Sequence, residues 1–195
     1  GISTSALTFG GTVPPSESIV GQTESYNGSS WTEVADLNTA RMQMSGCGAS
    51  NTSALVFGGE GPGPDFTNTE SWNGTSWTEV NNLNASRMLP GSTGTQPSAL
   101  CIGGYDSGYS VYAITESYNG TSWTEVGDLN TARQNLSGNG VATSALAYGG
   151  LTPGNTVVDI TESWNNSAWT EVANLNTGRI NPGTSGVSNT SNLTF

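Results

Sequence analysis

The chain has 195 residues, with 15 acidic side chains, four Arg and neither Lys nor His, for a formal net charge of −11. Four basic groups cannot neutralise a nucleic-acid backbone, an anionic membrane surface repels this charge, and the absence of His and Lys removes the usual triad and Schiff-base chemistry. Only 10% of residues are charged while six Trp and six Tyr are present, so the composition suits many short strands joined by turns rather than a disordered acidic tail.

In chain order, Ser5–Phe9 reads as a short apolar strand closed by Gly10-Gly11. The phrase TESYNGSSWTEVADLNTAR then starts at Thr23, and close variants of it start at Thr69, Thr115 and Thr161. Trp31, Trp77, Trp123 and Trp169 stand 46 residues apart, as do Arg41, Arg87, Arg133 and Arg179. A period of this length built from strand-like words points to the blades of a β-propeller.

The copy starting at Arg41 predicts four strands: A near Met42–Ala49, B at Ser53–Phe57 ending in Gly58-Gly59, C near Thr67–Trp72 and D near Ser76–Val80. Strand B is apolar on both faces, with Ala54 and Val56 alternating with Leu55 and Phe57, as expected of a strand covered on both sides. Asn27-Gly28, Asn73-Gly74 and Asn119-Gly120 join C to D and predict type I′ hairpin turns, with Asn165-Asn166 as the fourth. No segment keeps a helical apolar period.

The strands do not divide evenly. The chain opens with B, C and D, runs through three whole repeats to Gly178, and closes with an A strand at Arg179–Ser188 and another B at Thr190–Phe195. The expected fold is all-β: four four-stranded blades of about 46 residues, assigned as 1–40 plus 179–195, 41–86, 87–132 and 133–178. The C-terminal strand closes the first blade. The alternative is an open or strand-exchanged assembly, in which the overhanging strand adds to the sheet edge of another copy.

Gly58-Gly59, then Trp72, then Trp77, with Arg opening the next repeat, resembles the kelch family of β-propellers. The order recurs in every copy and covers essentially the whole chain. The tight Asn-Gly turn departs from that family, whose C–D turn is usually longer. The wording is also similar to kelch-like tandem repeats of environmental, especially marine, bacteriophage proteins. The resemblance implies a propeller fold. Copper radical oxidases share that fold but need His ligands, which this chain lacks.

Eight acids recur in every copy: Glu24, Glu70, Glu116 and Glu162 in T-E-S, and Glu33, Glu79, Glu125 and Glu171 in T-E-V. Symmetric repetition speaks for structure, so these Glu are expected to pair with the four Arg, within one blade or between blades, and the repeated Trp to pack between blades. An Arg ring for an anionic ligand and Trp platforms for sugars are the functional alternatives. Asp36 and Asp128 alternate with Asn82 and Asn174, which fits turn hydrogen bonding better than calcium. Cys47 and Cys101 read as two buried thiols or one bridge. Nine Asn-x-Ser/Thr sequons occur, without indicating whether any is used.

The copies differ between Gly-Gly and T-E-S, where loops are expected on one face and recognition is usually carried. The candidate ligand-binding residues there are Tyr105, Asp106, Tyr109, Tyr112, Asp65, Phe66, Glu17 and Asp159. No catalytic residue, cofactor or metal is expected. The function expected is a non-enzymatic structural or attachment module, extracellular or on a virion surface. Its expected partners are other copies of itself, neighbouring structural proteins or glycans, with no nucleic acid and no membrane insertion. A lectin-like propeller is the alternative. A glycan-processing enzyme would need an acid pair from Glu17, Glu60, Asp65, Asp106 and Asp159.

Overall fold

The computed structural model describes residues 4–63, 67–188 and 191–194, and of 184–188 and 191–193 the backbone alone. Strand is the only regular structure there, as the composition led one to expect. The first sheet holds β1 (Ala6–Phe9), then β4 (Thr23–Tyr26) and β5 (Trp31–Val34), with a small outlying hairpin of β2 (Thr12–Val13) and β3 (Ser18–Ile19) between them. The second is β6 (Ser45–Ser50), β7 (Ser53–Phe57), β8 (Thr69–Trp72) and β9 (Trp77–Val80). The third is β10 (Gly91–Thr95), β11 (Ser98–Ile102), β12 (Thr115–Tyr118) and β13 (Trp123–Glu125). The fourth is β14 (Ser137–Val141), β15 (Ser144–Tyr148), β18 (Thr161–Trp164) and β19 (Trp169–Glu171), with the outlying pair β16 (Leu151–Thr152) and β17 (Thr156–Val157). The chain ends in a two-stranded sheet of β20 (Thr184–Ser188) and β21 (Ser191–Thr194).

All pairings are antiparallel and the three complete sheets share one register: Leu55 faces Ser71, Leu100 faces Ser117, and Leu146 faces Ser163. The first strand of each complete sheet lies against that of the next, β6 on β10 and β10 on β14, and β20 continues the row against β14. The expected addition of Arg179–Ser188 to the first sheet is not what the backbone does. β20 pairs with β21, and the first sheet keeps three strands.

The two apolar faces of each second strand explain the core. Ala54 and Val56 of β7 pack with Leu7 and Phe9 of the sheet before, while Leu55 and Phe57 pack with Ala99 and Cys101 of the sheet after. Leu100 and Ile102 of β11 meet Ala145 and Ala147 of β15 in the same way. Bulky residues on one sheet thus meet small ones on the next, which lets the sheets approach closely.

The Asn-Gly turns form differently from the type I′ expectation. Gly28, Gly74 and Gly120 have positive φ, but the Asn before each does not. The connection has four residues, Asn27 to Ser30 in the first copy, between the paired Tyr26 and Trp31. The Asn27 Oδ1 accepts from the backbone N–H of Ser29 and Ser30 at 2.9 and 3.0 Å. The Asn side chain therefore satisfies two loop donors that a two-residue turn would not have exposed. Gly-Gly has a different constraint: a Cβ on Gly58 would stand 2.6 Å from the Arg87 carbonyl, where the chain leaving β9 returns to its own sheet.

Leu100 is fully buried between the third and fourth sheets. Leu100→Ala is expected to lower unfolding stability by about 2–5 kcal/mol, measured by urea denaturation.

Candidate functional site

Two sets of residues carry the polar chemistry: a joint repeated between sheets, and the loops that differ between repeats.

The joint begins with geometry. Glu70 on β8 lies directly opposite Glu79 on β9, a like-charge pair that the sheet alone would not favour. Arg41, from the link after β5, buries its guanidinium beside them. Its Nη2 donates to Glu70 Oε1, and its Nη1 donates to the Asn68 carbonyl at 2.8 Å. The other Glu70 oxygen accepts from the backbone N–H and the side-chain amide of Asn38, at 2.8 and 2.9 Å. The Asn38 amide also donates to the Trp77 carbonyl at 3.1 Å. So the link leaving one sheet is clamped onto the sheet that follows.

The same atoms recur twice. Arg87 pairs with Glu116, with Asn84 donating to the second oxygen at 2.8 and 2.7 Å. Arg133 pairs with Glu162 at 2.8 Å, with Asn130 donating twice at 2.7 Å. Burial pushes the Arg41 and Arg133 guanidinium pKa below its ordinary value, and Glu70 and Glu162 pull it back up. The Trp completes the joint. Trp77 Nε1 donates to Thr23 Oγ1 of the preceding sheet at 3.1 Å, Trp123 to Thr69 at 3.0 Å, and Trp169 to Thr115 at 3.0 Å.

These placements decide between the readings of the repeated residues. Trp77, Trp123 and Trp169 are buried and offer no face to a sugar, whereas Trp31 is 49% exposed. Glu24 is exposed and Arg179 half-buried, and among the described residues neither has an ion pair. Asp36, Asn82, Asp128 and Asn174 each accept one backbone N–H, from Thr23, Thr69, Thr115 and Thr161. One oxygen is all that this bond uses, so Asp and Asn interchange. No group of three His, Cys, Asp or Glu among the described residues could hold a metal ion. Cys47 and Cys101 are free thiols, and burial pushes both up to about 12.

The variable loops leave the sheets beside the Arg links. Met42 bridges to Glu60, Met88 to Tyr105 and Gln134 to Leu151. The residues that follow are chained by backbone bonds: Leu89 N–H donates to the Gln43 carbonyl at 2.8 Å, Asn135 to Leu89 at 3.0 Å, and Asn181 to Asn135 at 2.8 Å. The loops are thereby gathered along one side of the row of sheets. Gln43, Asn135 and Asn181 carry side-chain amides but Leu89 does not, and what all four share is a positive φ. Asn38, Asn84 and Asn130 were missed, although they recur in the repeated phrase.

The loop from Tyr105 to Tyr112 is the most organised. Asp106 Oδ2 accepts from the Tyr112 hydroxyl at 2.7 Å, and Oδ1 accepts from the Ser110 N–H at 2.9 Å. These bonds, the tyrosine's foremost, hold the Asp106 carboxyl below the usual carboxylate range. The Tyr105 ring stacks on Tyr109, with centroids 6.1 Å apart, and its hydroxyl donates to Gln43 Oε1 of the previous repeat at 2.9 Å. Tyr109 is 82% exposed. Burial, then the charge of Glu60, pushes the Tyr105 hydroxyl up. Glu17 is exposed at the tip of its own hairpin, and the Asp159 carbonyl accepts from Leu175 N–H at 2.9 Å, in a separate loop. The structure thus brings together Tyr105, Asp106, Tyr109 and Tyr112. Asp65 and Phe66 lie outside the described residues.

No protein-family model matches the chain, and no curated protein matches it.

Arg133→Met leaves Glu162 buried without its cation and is expected to cost about 3–5 kcal/mol. Arg179→Met is expected to stay within about 0.5 kcal/mol in dilute, monomeric protein. Urea denaturation of both variants checks the contrast. For Asp106, a depressed folded-state pKa stabilises the loop above the unfolded value of about 3.9, and this contribution is lost as pH falls through the folded value. Tyr112→Phe removes the leading cause and should raise the Asp106 pKa toward 3.9, as followed by NMR titration of its carboxyl carbon.

Proposed function

We propose that this chain is a non-enzymatic structural and attachment module, a kelch-like propeller whose sheets are the blades. It works outside the cell or on a virion surface, and its variable loops contact protein or glycan. The observation that carries this reading is how the repeated polar residues are used. Three Arg, their three T-E-S Glu, three Asn and three Trp are consumed in joints between sheets. What differs between repeats is collected along one side of the row. Rigid repetition with variation confined to one loop-bearing side is the arrangement of a display scaffold. The row of antiparallel sheets, with first strands side by side, supports blades. The partners proposed are further copies, neighbouring structural proteins and glycans.

A lectin-like reading is favoured by one specific feature. The exposed Tyr109 ring is stacked on Tyr105, and the Tyr109 N–H donates to the carbonyl of Asp106, whose carboxyl is held below the usual range. An aromatic face covers the apolar side of a sugar ring while a carboxylate accepts from its hydroxyls. A glycan array with the wild-type chain and Tyr109→Ala separates the readings. Sugar binding that Tyr109→Ala abolishes establishes the lectin activity, and no binding to any sugar eliminates it. Turnover of a polysaccharide that disappears on changing one loop carboxylate would overturn the non-enzymatic reading.

A further inference from the structure

The two ends of the row carry the unmade halves of the joint that is made three times inside it. At the leading end, Glu24 lies opposite Glu33 on the first sheet, as Glu70 lies opposite Glu79, but with no Arg among the described residues to meet it. Trp31 is half-exposed there, while its three counterparts are buried. At the trailing end, Thr161 Oγ1 is buried without a hydrogen-bond partner. In every earlier sheet the equivalent Thr oxygen accepts from the next sheet's Trp. Arg179 is already in position, because its carbonyl accepts from Gly150 N–H at 2.9 Å, as Arg133 does from Gly104. Its Nε donates to the Thr177 carbonyl as that of Arg41 does to Thr39, yet its guanidinium reaches no described carboxylate. Asn176, the counterpart of Asn38, is exposed.

The strands are complementary in the same sense. The first sheet lacks the strand that would flank β1, and a groove of about 150 Å³ lined by Leu7, Phe9, Gly46, Cys47 and Ala54 runs there between β1 and β6. β20 is a strand of that kind, carrying Gly186 where β6 has Gly48. It is covered by β21, whose residues Ser191 to Thr194 read SNLT where Ser5 to Thr8 read SALT. Ser191 faces Ser188 as Ser53 faces Ser50, so β21 holds the register that β1 would take.

We propose that a second copy of this chain docks head to tail. Glu24 of one copy takes Arg179 and Asn176 of the other, Trp31 donates to Thr161 Oγ1, and β1 replaces β21 on β20 to complete a four-stranded sheet. The charges are complementary, two carboxylates against one guanidinium, and the contact repeats an arrangement that the chain already forms. Because the two surfaces differ, the contact is heterologous and propagates into rings or filaments. The inference deepens the structural half of the proposed function and rests on that half alone. The variable loops take no part, so failure of assembly and failure of loop binding are read separately.

The test uses one chain with a disabled head, Glu24→Ala with Trp31→Ala, and one with a disabled tail, Arg179→Met. These side chains are exposed or half-buried, so each variant should keep the wild-type circular dichroism and melting curve. Light scattering should show wild-type chains growing beyond a monomer with concentration. Each variant alone should need a roughly 30-fold higher concentration to do so. Mixed, the two should form a one-to-one dimer and stop, since the pair has one working head and one working tail. A monomeric wild type at every concentration, growth that ignores these substitutions, or a mixture that stays monomeric overturns the proposal. A monomer whose Trp31 is shielded from acrylamide means that the chain closes on itself, and overturns it too.

Discussion

A buried guanidinium must be met by an anion and by oxygen acceptors, and each link between sheets meets that need with atoms of the sheet that follows. Arg41 sits on the link leaving the first sheet, and its carboxylate and carbonyl partners belong to the second. Removing either partner strands a charge away from water, which is costly. The pair therefore does more than add stability. It fixes how one sheet is placed against the next, because only one placement satisfies Arg, Glu and Asn together. Apolar packing supplies the area, but Ala against Leu tolerates small slips that a hydrogen-bonded ion pair does not.

The like-charge pair Glu70 and Glu79 becomes intelligible in this light. Opposed carboxylates within one hairpin are unfavourable until the neighbouring Arg arrives. Each sheet is therefore electrostatically incomplete alone and completed by the sheet before it. This is the behaviour of a linear repeat array, in which neighbour contacts carry much of the stability. It also means that the ends of any such row are chemically active surfaces. The loop of Tyr105, Asp106, Tyr109 and Tyr112 holds a hydrogen-bond network of its own and is anchored to the links at Met88 and Arg133.

Part of this was open to reading from residues alone. Repetition every 46 residues marked Trp77, Arg87 and Glu116 as structural, because symmetric sites seldom carry asymmetric chemistry. The two-faced apolar pattern of Ser53–Phe57 predicted cover on both sides, and β7 has it. The turns depart from their local preference. Asn27-Gly28 matches a two-residue hairpin in local preference, but the pairing of Tyr26 with Trp31 leaves four residues to span. Asn38 and its equivalents were passed over because a polar residue in a link looks like solvent-facing turn. Its role as a carboxylate ligand depends on a sheet 32 residues away in sequence.

By itself the sequence determined the all-β character, the strand order within the three complete sheets and the residues that repeat, since these follow from local pattern, turn residues and periodicity. Only the tertiary structure decided which sheet receives each Arg, where the orphaned Thr161 oxygen and the half-exposed Trp31 stand, and that β20 pairs with β21 and not with β1. The physical reason is that β21 and β1 are nearly the same strand in sequence. Local preference cannot choose between equivalent edges, and the choice rests on which one the chain brings within reach.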